Sequence, residues 1–276
     1  AMATELIKKF IAALVKPRKA NTDKTDFGHA LLIAGNTGKM GAAILAAKAC
    51  VRSGAGLTTV CVPQKEAAII QIAVPEAMVI SRENLPADFE KFSSFGVGPG
   101  MGFDKDEEET FCRIFSGKTT AAVIDADAIS ILAKHKEYWK ILPRQTILTP
   151  HAGEFDRLFG LNKNREQGLL RAIKFTESQD CIIVLKGHET TIVSNGKYFI
   201  NKTGNAGLAK GGSGDVLTGM ISALLAQAYE PLDAACIAVY LHGNAADITL
   251  GKQSLESMMA SDVIENIGAA FIALKK

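Results

Sequence analysis

The stretch TGNAGLAKGGSGDVLTG, residues 203–219, holds six glycines in seventeen positions and runs through Asp215 into an apolar helical pattern. Glycines let backbone N–H groups converge on an anion with no Cβ in the way, and the positive end of the following helix adds to the attraction. The stretch therefore reads as a phosphate cradle at a helix N-terminus, with Gly211 to Gly214 as its donors. Asp215 needs its own reason to be there, because a phosphate repels a carboxylate. Either it caps the helix by accepting first-turn N–H bonds, or it is a general base that takes the proton from a hydroxyl about to attack phosphorus.

Two other glycine runs resemble phosphate motifs without matching them. GNTGKMG at 35–41 lacks the G-x-x-x-x-G-K-[ST] pattern of a Walker loop. In GVGPGMG at 96–102, Pro99 and the absence of a long helix starting inside the run argue against Rossmann-type dinucleotide binding. GNTGKMGAA does feed a helix of small residues, which suits either a bulky ligand lying close to the backbone or a tight strand-to-helix turn.

Outward from these runs, apolar segments of strand length alternate with helical patterns. ALLIAG (30–35), LTTVCVP (57–63), AMVI (77–80), SFGVG (94–98), AAVIDA (121–126), TILTP (146–150) and CIIVLKG (181–187) are the strands; 41–53, 104–117, 151–160 and 164–178 are helical. Strands apolar on both faces and alternating with helices predict a mostly parallel central sheet with helices on both faces, an α/β class. TTIVSNG and KYFINKT, turning at Asn195-Gly196, predict an appended hairpin. Helices over 213–229, 231–250 and 258–273 close the chain, and ATELIKKFIAALVKPRK (3–19) reads as an amphipathic helix ending at Pro17.

Gly35, Gly98, Asp125, Pro150 with His151, and Lys186 with Gly187 all fall at the carboxyl ends of predicted parallel strands, the edge where open α/β sheets bind ligands. In TPHAGE, Glu154 is either an acidic first-turn residue or a magnesium holder acting through water, and His151 either a loop residue or a donor to substrate. In VIDADA, Asp125 and Asp127 orient a ribose or a metal, or Asp127 caps the helix at 128–134, the better-favoured reading. LKGHETT offers Lys186 and exposed backbone. His29, His135, His188 and His242 have no metal-ligand spacing and read as surface or structural, and the acidic run Asp104 to Glu109 reads as a solvated helix start.

Composition bounds the function. One domain over residues 1–276 is expected, since 47% hydrophobic content supports one large core and no low-complexity run separates two. A net charge of +2, with both signs mixed along the chain, gives no electrostatic case for nucleic acid or an anionic membrane, and no segment reaches the length of a membrane span. Five scattered cysteines without C-x-x-C spacing read as buried thiols, and Lys8 and Lys9 interrupt any signal-peptide core, so the expected location is the cytoplasm.

GNTGKMGAAILAA, GVGPGMG, VIDADAI, LTPHAGEFDRL, VLKGHETTIV and NAGLAKGGSGDVLTGMI together resemble the nucleotide-dependent NAD(P)H-hydrate dehydratases of the ribokinase-like superfamily, over roughly residues 29 to 250. The resemblance implies a three-layer ribokinase-like fold and a lyase that repairs nicotinamide cofactors. ADP or ATP, with Mg2+, would phosphorylate the C6 hydroxyl of (6S)-NADHX or NADPHX before elimination. Asp215 would be the base, with Gly212 and Gly214 stabilising the transferred group. By position, Ala42, Gly102, His151 and Asp215 match the hydrate-binding residues, joined by Asn205 and Asp125. Lys186, Gly187, His188, Glu189 and Thr190 with Gly214 match the nucleotide-binding ones, and Glu154 is the candidate metal residue through water. The resemblance also implies a homotetramer. Because about 28 residues precede the first predicted strand, a separate epimerase is expected to act in the same pathway. Two other readings stand beside this one: a kinase of the same fold acting on a sugar or vitamin precursor, and a catalytically silent nucleotide-binding protein.

Overall fold

The computed structural model describes residues 2–276. Its strands are β1 (Ala3–Leu6), β2 (His29–Ile33), β3 (Leu57–Val62), β4 (Met78–Ser81), β5 (Ser94–Val97), β6 (Ala122–Ile124), β7 (Thr146–Leu148), β8 (Cys181–Leu185), β9 (Thr191–Ser194) and β10 (Lys197–Asn201). They form one sheet in the order β1-β10-β9-β8-β7-β6-β5-β2-β3-β4. Among the described residues every neighbouring pair is parallel except the two that β9 makes with β8 and β10. The helices are α1 (Lys8–Leu14), α2 (Met40–Arg52), α3 (Ala67–Ala73), α4 (Lys105–Phe115), α5 (Ala126–Lys134), α6 (Ala152–Phe159), α7 (Arg165–Ser178), α8 (Ser213–Ala226), α9 (Pro231–Leu250), α10 (Ala260–Glu265) and α11 (Ile267–Ala273).

Alternate residues of each strand feed opposite layers. Ala30 and Leu32 pack with α2, whereas Leu31 and Ile33 pack with α4 and α5. Ile182 and Val184 meet α8 and α9, whereas Ile183 and Leu185 meet α6 and α7. A two-residue repeat with both phases apolar is what a sheet covered on both faces requires. The hairpin forms as expected: Ser194 pairs with Lys197, and Asn195 (φ 46°) and Gly196 (φ 72°) both lie in the left-handed region that a tight hairpin of primed type needs.

Three expectations fail. Ala3–Leu6 is an edge strand beside β10, so the first strand comes far earlier than predicted and only Lys8–Leu14 of the N-terminal segment is helical. The helix expected over 258–273 is two helices broken at Asn266, whose amide donates to the Thr249 hydroxyl and the Asp262 carbonyl and so settles outside a continuous helix. Residues 67–73 form a helix that was not anticipated, laid on α2 through Ile70.

The strand order reverses between β2 and β5: one run goes from β2 to β3 and β4, the other from β5 toward β8. Chain leaving β2 enters α2 on one face, and chain leaving β5 enters α4 on the other, so a crevice opens above their carboxyl ends. Gly98 (φ 130°) occupies that reversal, where any Cβ would overlap the Asp125 carbonyl. α8 reaches the crevice by packing closely on α2, and a Cβ on Gly219 would lie 2.1 Å from the Ala46 carbonyl oxygen, well inside contact distance. Gly219→Ala should therefore destabilise the protein by roughly 1–3 kcal/mol, overpacking against backbone outweighing the helix propensity gained. An unchanged urea midpoint would contradict this packing.

Candidate active site

The N-cap of α8 is Gly212, whose φ of 97° favours glycine and which has no side chain to cap the helix. The N–H groups of its first turn have no intrahelical partner, so the start of this fourteen-residue helix is open to an anion, the cradle that the sequence reading expects. Asp215 lies within that first turn rather than at the cap. Burial pushes its carboxyl up to about 7, and the nearby Asp125 carboxylate adds to the rise, while Lys186 opposes it.

Beneath the cradle lies a buried ion pair. Lys186, at the end of β8, places Nζ 3.1 Å from Asp125 Oδ1 and 4.0 Å from Glu154 Oε1. The other Asp125 oxygen accepts from the Thr218 hydroxyl at 2.8 Å, and Asp125 is 1% exposed. Burial works against the Lys186 ammonium, but the Asp125 and Glu154 carboxylates outweigh it and raise its pKa. A Cβ on Gly214 would sit 3.0 Å from Lys186 Nζ and 3.7 Å from Asp125 Oδ2, so glycine lets the pair touch the cradle directly. Thr218 escaped the sequence reading although it stands one turn after Asp215, facing the same way.

A cavity of about 440 Å³ adjoins this pair. Of the residues singled out in the sequence, Lys186, Gly187, His188, Thr190, Gly214, Asn205 and His151 line it. The Glu189 side chain does not; its carbonyl accepts from Arg165 Nη2, which also reaches Thr191 Oγ1 at 3.4 Å. The Asn205 side chain is held locally, donating to Asp247 and accepting from the Gly207 N–H. His242 is not surface but cavity lining, and burial, with the Lys186 charge behind it, lowers its pKa to about 4. Its Nε2 has no hydrogen-bond partner among the described residues.

His151 is more than a loop residue. Its Nδ1 accepts from Gly153 and Glu154 N–H, making it the N-cap of α6, and its own N–H donates to Glu154 Oε1. A ring accepting at Nδ1 carries its proton at Nε2, and the side chain is 55% exposed at the cavity. Glu154 is a buried member of that capping box. Among the described residues no cluster of three or more His, Cys, Asp or Glu side chains has metal-binding geometry.

Across the start of α8, Ala42 and Gly102 lie where the β2 and β5 loops meet: a Cβ on Gly100 would lie 2.8 Å from that of Ala42. Asp127 is not a helix cap. With Ala126 in the left-handed region (φ 48°), α5 starts two residues earlier than expected, and Asp127 Oδ2 accepts from the Gly102 N–H at 2.8 Å. Nor is the acidic run merely solvated. Glu107 accepts from Asn36, and Glu108 is buried between Lys134 and His135.

The parallel sheet, the glycine-led α8 and the acidic first turn together define a ribokinase-like α/β protein. The chain belongs to the NAD(P)H-hydrate dehydratase family, which residues 30–268 match. It is 37% identical over 255 residues to the ADP-dependent (S)-NAD(P)H-hydrate dehydratase of Listeria monocytogenes, covering 90% of each chain. It is 35% identical to the bifunctional NAD(P)H-hydrate repair enzyme of Moorella thermoacetica, spanning 90% of this chain and 50% of that longer one. The crystal structure of the ADP/ATP-dependent NAD(P)H-hydrate dehydratase from Bacillus subtilis, co-crystallised with ATP/Mg2+, superposes with a TM-score of 0.88 at 30% identity, covering 98% of both chains.

The raised Asp215 pKa has a consequence for stability. The folded protein keeps a proton that the unfolded chain releases between about pH 4 and 7, so stability falls across that window as pH rises. Asp215→Asn removes the penalty. At pH 8 the variant should melt about 2–4 °C higher than wild type, the shift that about 1 kcal/mol gives a domain of this size, and the gap should close toward pH 4. A constant gap across that range would contradict the buried-carboxyl assignment.

Proposed function

We propose that the protein dehydrates (6S)-NADHX and NADPHX to NADH and NADPH, with ADP or ATP as phosphoryl donor. The observation that carries the reading is the Asp215 carboxyl, with a pKa near 7, in the first turn of an uncapped helix start. A capping carboxylate has no use for such a value, whereas a general base works best with a pKa near the operating pH. The substrate follows from the family and from the names of relatives that match over nine-tenths of the chain.

In this reading Asp215 takes the proton of the C6 hydroxyl, whose oxygen then bonds to the terminal phosphorus of the nucleotide. The bond to the leaving nucleotide breaks, ADP departing as AMP or ATP as ADP. N–H groups of Gly212 and Gly214, with their neighbours in the cradle, stabilise charge on the group in transfer. The ring C6–O bond then breaks, phosphate leaves with the electron pair, and a proton lost from the adjacent carbon completes the double bond. Water is a poor leaving group and phosphate a good one, so the kinase-like site serves a lyase.

The nucleotide is assigned to the cavity lined by Lys186 to His188, Thr190 and Gly214, whose volume falls within the usual range for small ligands. Lys186 supplies a fixed charge there rather than a free one, because Asp125 holds it. The hydrate is assigned to the Ala42 and Gly102 side and to His151, which stands on the wall of the nucleotide cavity. One Glu154 oxygen is engaged by the His151 N–H and the side chain is nearly sealed, so Glu154 fits Mg2+ only through an intervening water, the metal arriving with the nucleotide. A homotetramer, a partner epimerase and a cytoplasmic setting belong to the same proposal on the strength of the family. Five unpaired cysteines support a reducing compartment, and no described helix is long and apolar enough to cross a membrane.

Incubation with (6S)-NADHX and ADP should restore NADH absorbance, whereas a stable phosphoester would favour a kinase. Asp215→Asn should lower turnover about 100-fold or more while ADP still raises the melting temperature. For the wild type, kcat/KM should rise with pH through about 7 and level off above it. Turnover in the variant close to wild type would remove Asp215 from the mechanism.

A further inference from the structure

Arg82 follows the edge strand β4, far from every glycine motif, yet its guanidinium reaches the centre of the strand-end crevice. Nη2 donates to the carbonyls of Ala34, Gly35 and Cys61, and Nη1 to that of Met101 at 3.2 Å. No carboxylate among the described residues pairs with it at salt-bridge distance, and its buried Nε has no partner. A half-buried cation that faces carbonyl dipoles, with the Glu107 and Glu83 carboxylates acting on it only from beyond salt-bridge distance, is costly to keep. What it obtains is a tie across the topological reversal.

The Ala34, Gly35 and Met101 carbonyls belong to the two loops that diverge from the sheet in opposite directions, the first entering α2 and the second α4, and that of Cys61 belongs to β3. The same Met101 carbonyl accepts from Asn36 Nδ2 at 2.8 Å, Gly35 N–H donates to the Pro99 carbonyl at 2.7 Å, and Gly102 N–H is taken by Asp127. Loop 98–102 is thus pinned from three sides, by the β2 loop, by Asp127 and by Arg82. We infer that Arg82 is a positioning residue for hydrate binding, fixing the separation of the β2 and β5 loops and hence of Ala42 and Gly102. The inference rests on the reading of those two residues as the hydrate side. Residues lining the other cavity come from the ends of β7, β8 and β10 and from α8 and α9, and Arg82 touches none of them.

That separation dictates the test. Arg82→Lys keeps the charge but replaces a planar fork with a single ammonium, which cannot span carbonyls on three chain segments. Steady-state kinetics with (6S)-NADHX, and ADP binding by calorimetry, are measured on wild type and on R82K, with Arg82→Gln as a second variant. The expected result is a KM for hydrate raised about 10-fold or more, with the ADP dissociation constant within about two-fold of wild type and a larger KM effect in R82Q. A hydrate KM within about two-fold of wild type in R82K would overturn the inference, as would parallel weakening or loss of both ligands. Wild-type protein inert toward the hydrate would instead overturn the functional reading beneath it.

Discussion

The Asp125–Lys186 pair is the constraint around which the carboxyl edge of the sheet is arranged. Removing two charges from water costs several kcal/mol per ion, and attraction between them repays this only with good geometry and further hydrogen bonds. The protein supplies both through the 3.1 Å contact and the Thr218 hydroxyl. Everything nearby is shaped to the pair. Gly98 has no Cβ because the Asp125 carbonyl fills its place, and a Cβ on Gly214 would press on the ammonium at 3.0 Å. Asp215 is a buried carboxyl beside the Asp125 carboxylate, and burial first and that neighbour second raise its proton affinity.

This arrangement joins two halves of a crevice. On one side of α8 a cavity is walled by the β8–β9 connection and α9; on the other, the β2 and β5 loops meet over small residues. The helix start between them offers N–H groups to an anion and a titratable carboxyl to a hydroxyl. A phosphoryl group passing between two ligands needs that relation, and neither half suffices alone. In the proposed function the nucleotide takes one side and the dinucleotide hydrate the other.

Much of this was legible in the chain. Continuous apolar runs gave the buried strands, Asn195-Gly196 gave the hairpin, and glycine density gave the uncapped start of α8, because each is a local pattern with one physical cause. β1 was illegible because four residues carry no period, and their partner lies nearly two hundred positions away. Asp127 misled because an aspartate ahead of a helix usually caps it; the left-handed Ala126 turned it toward Gly102 instead. Arg82, Asn36 and His242 could not be found, since isolated polar residues acquire meaning only from the loops that surround them in space. Thr218 was closer to recognition, sharing a helix face with Asp215.

The central claim is that the ring hydroxyl leaves as phosphate rather than as water. Hydrate prepared in 18O-water carries the label at the C6 oxygen, and mass spectrometry of the inorganic phosphate released during turnover with ADP in unlabelled water reads its fate. Phosphoryl transfer to that hydroxyl predicts one labelled oxygen in each phosphate formed. Unlabelled phosphate, with the isotope recovered in solvent, would contradict the account by showing that the nucleotide is hydrolysed separately from a direct dehydration.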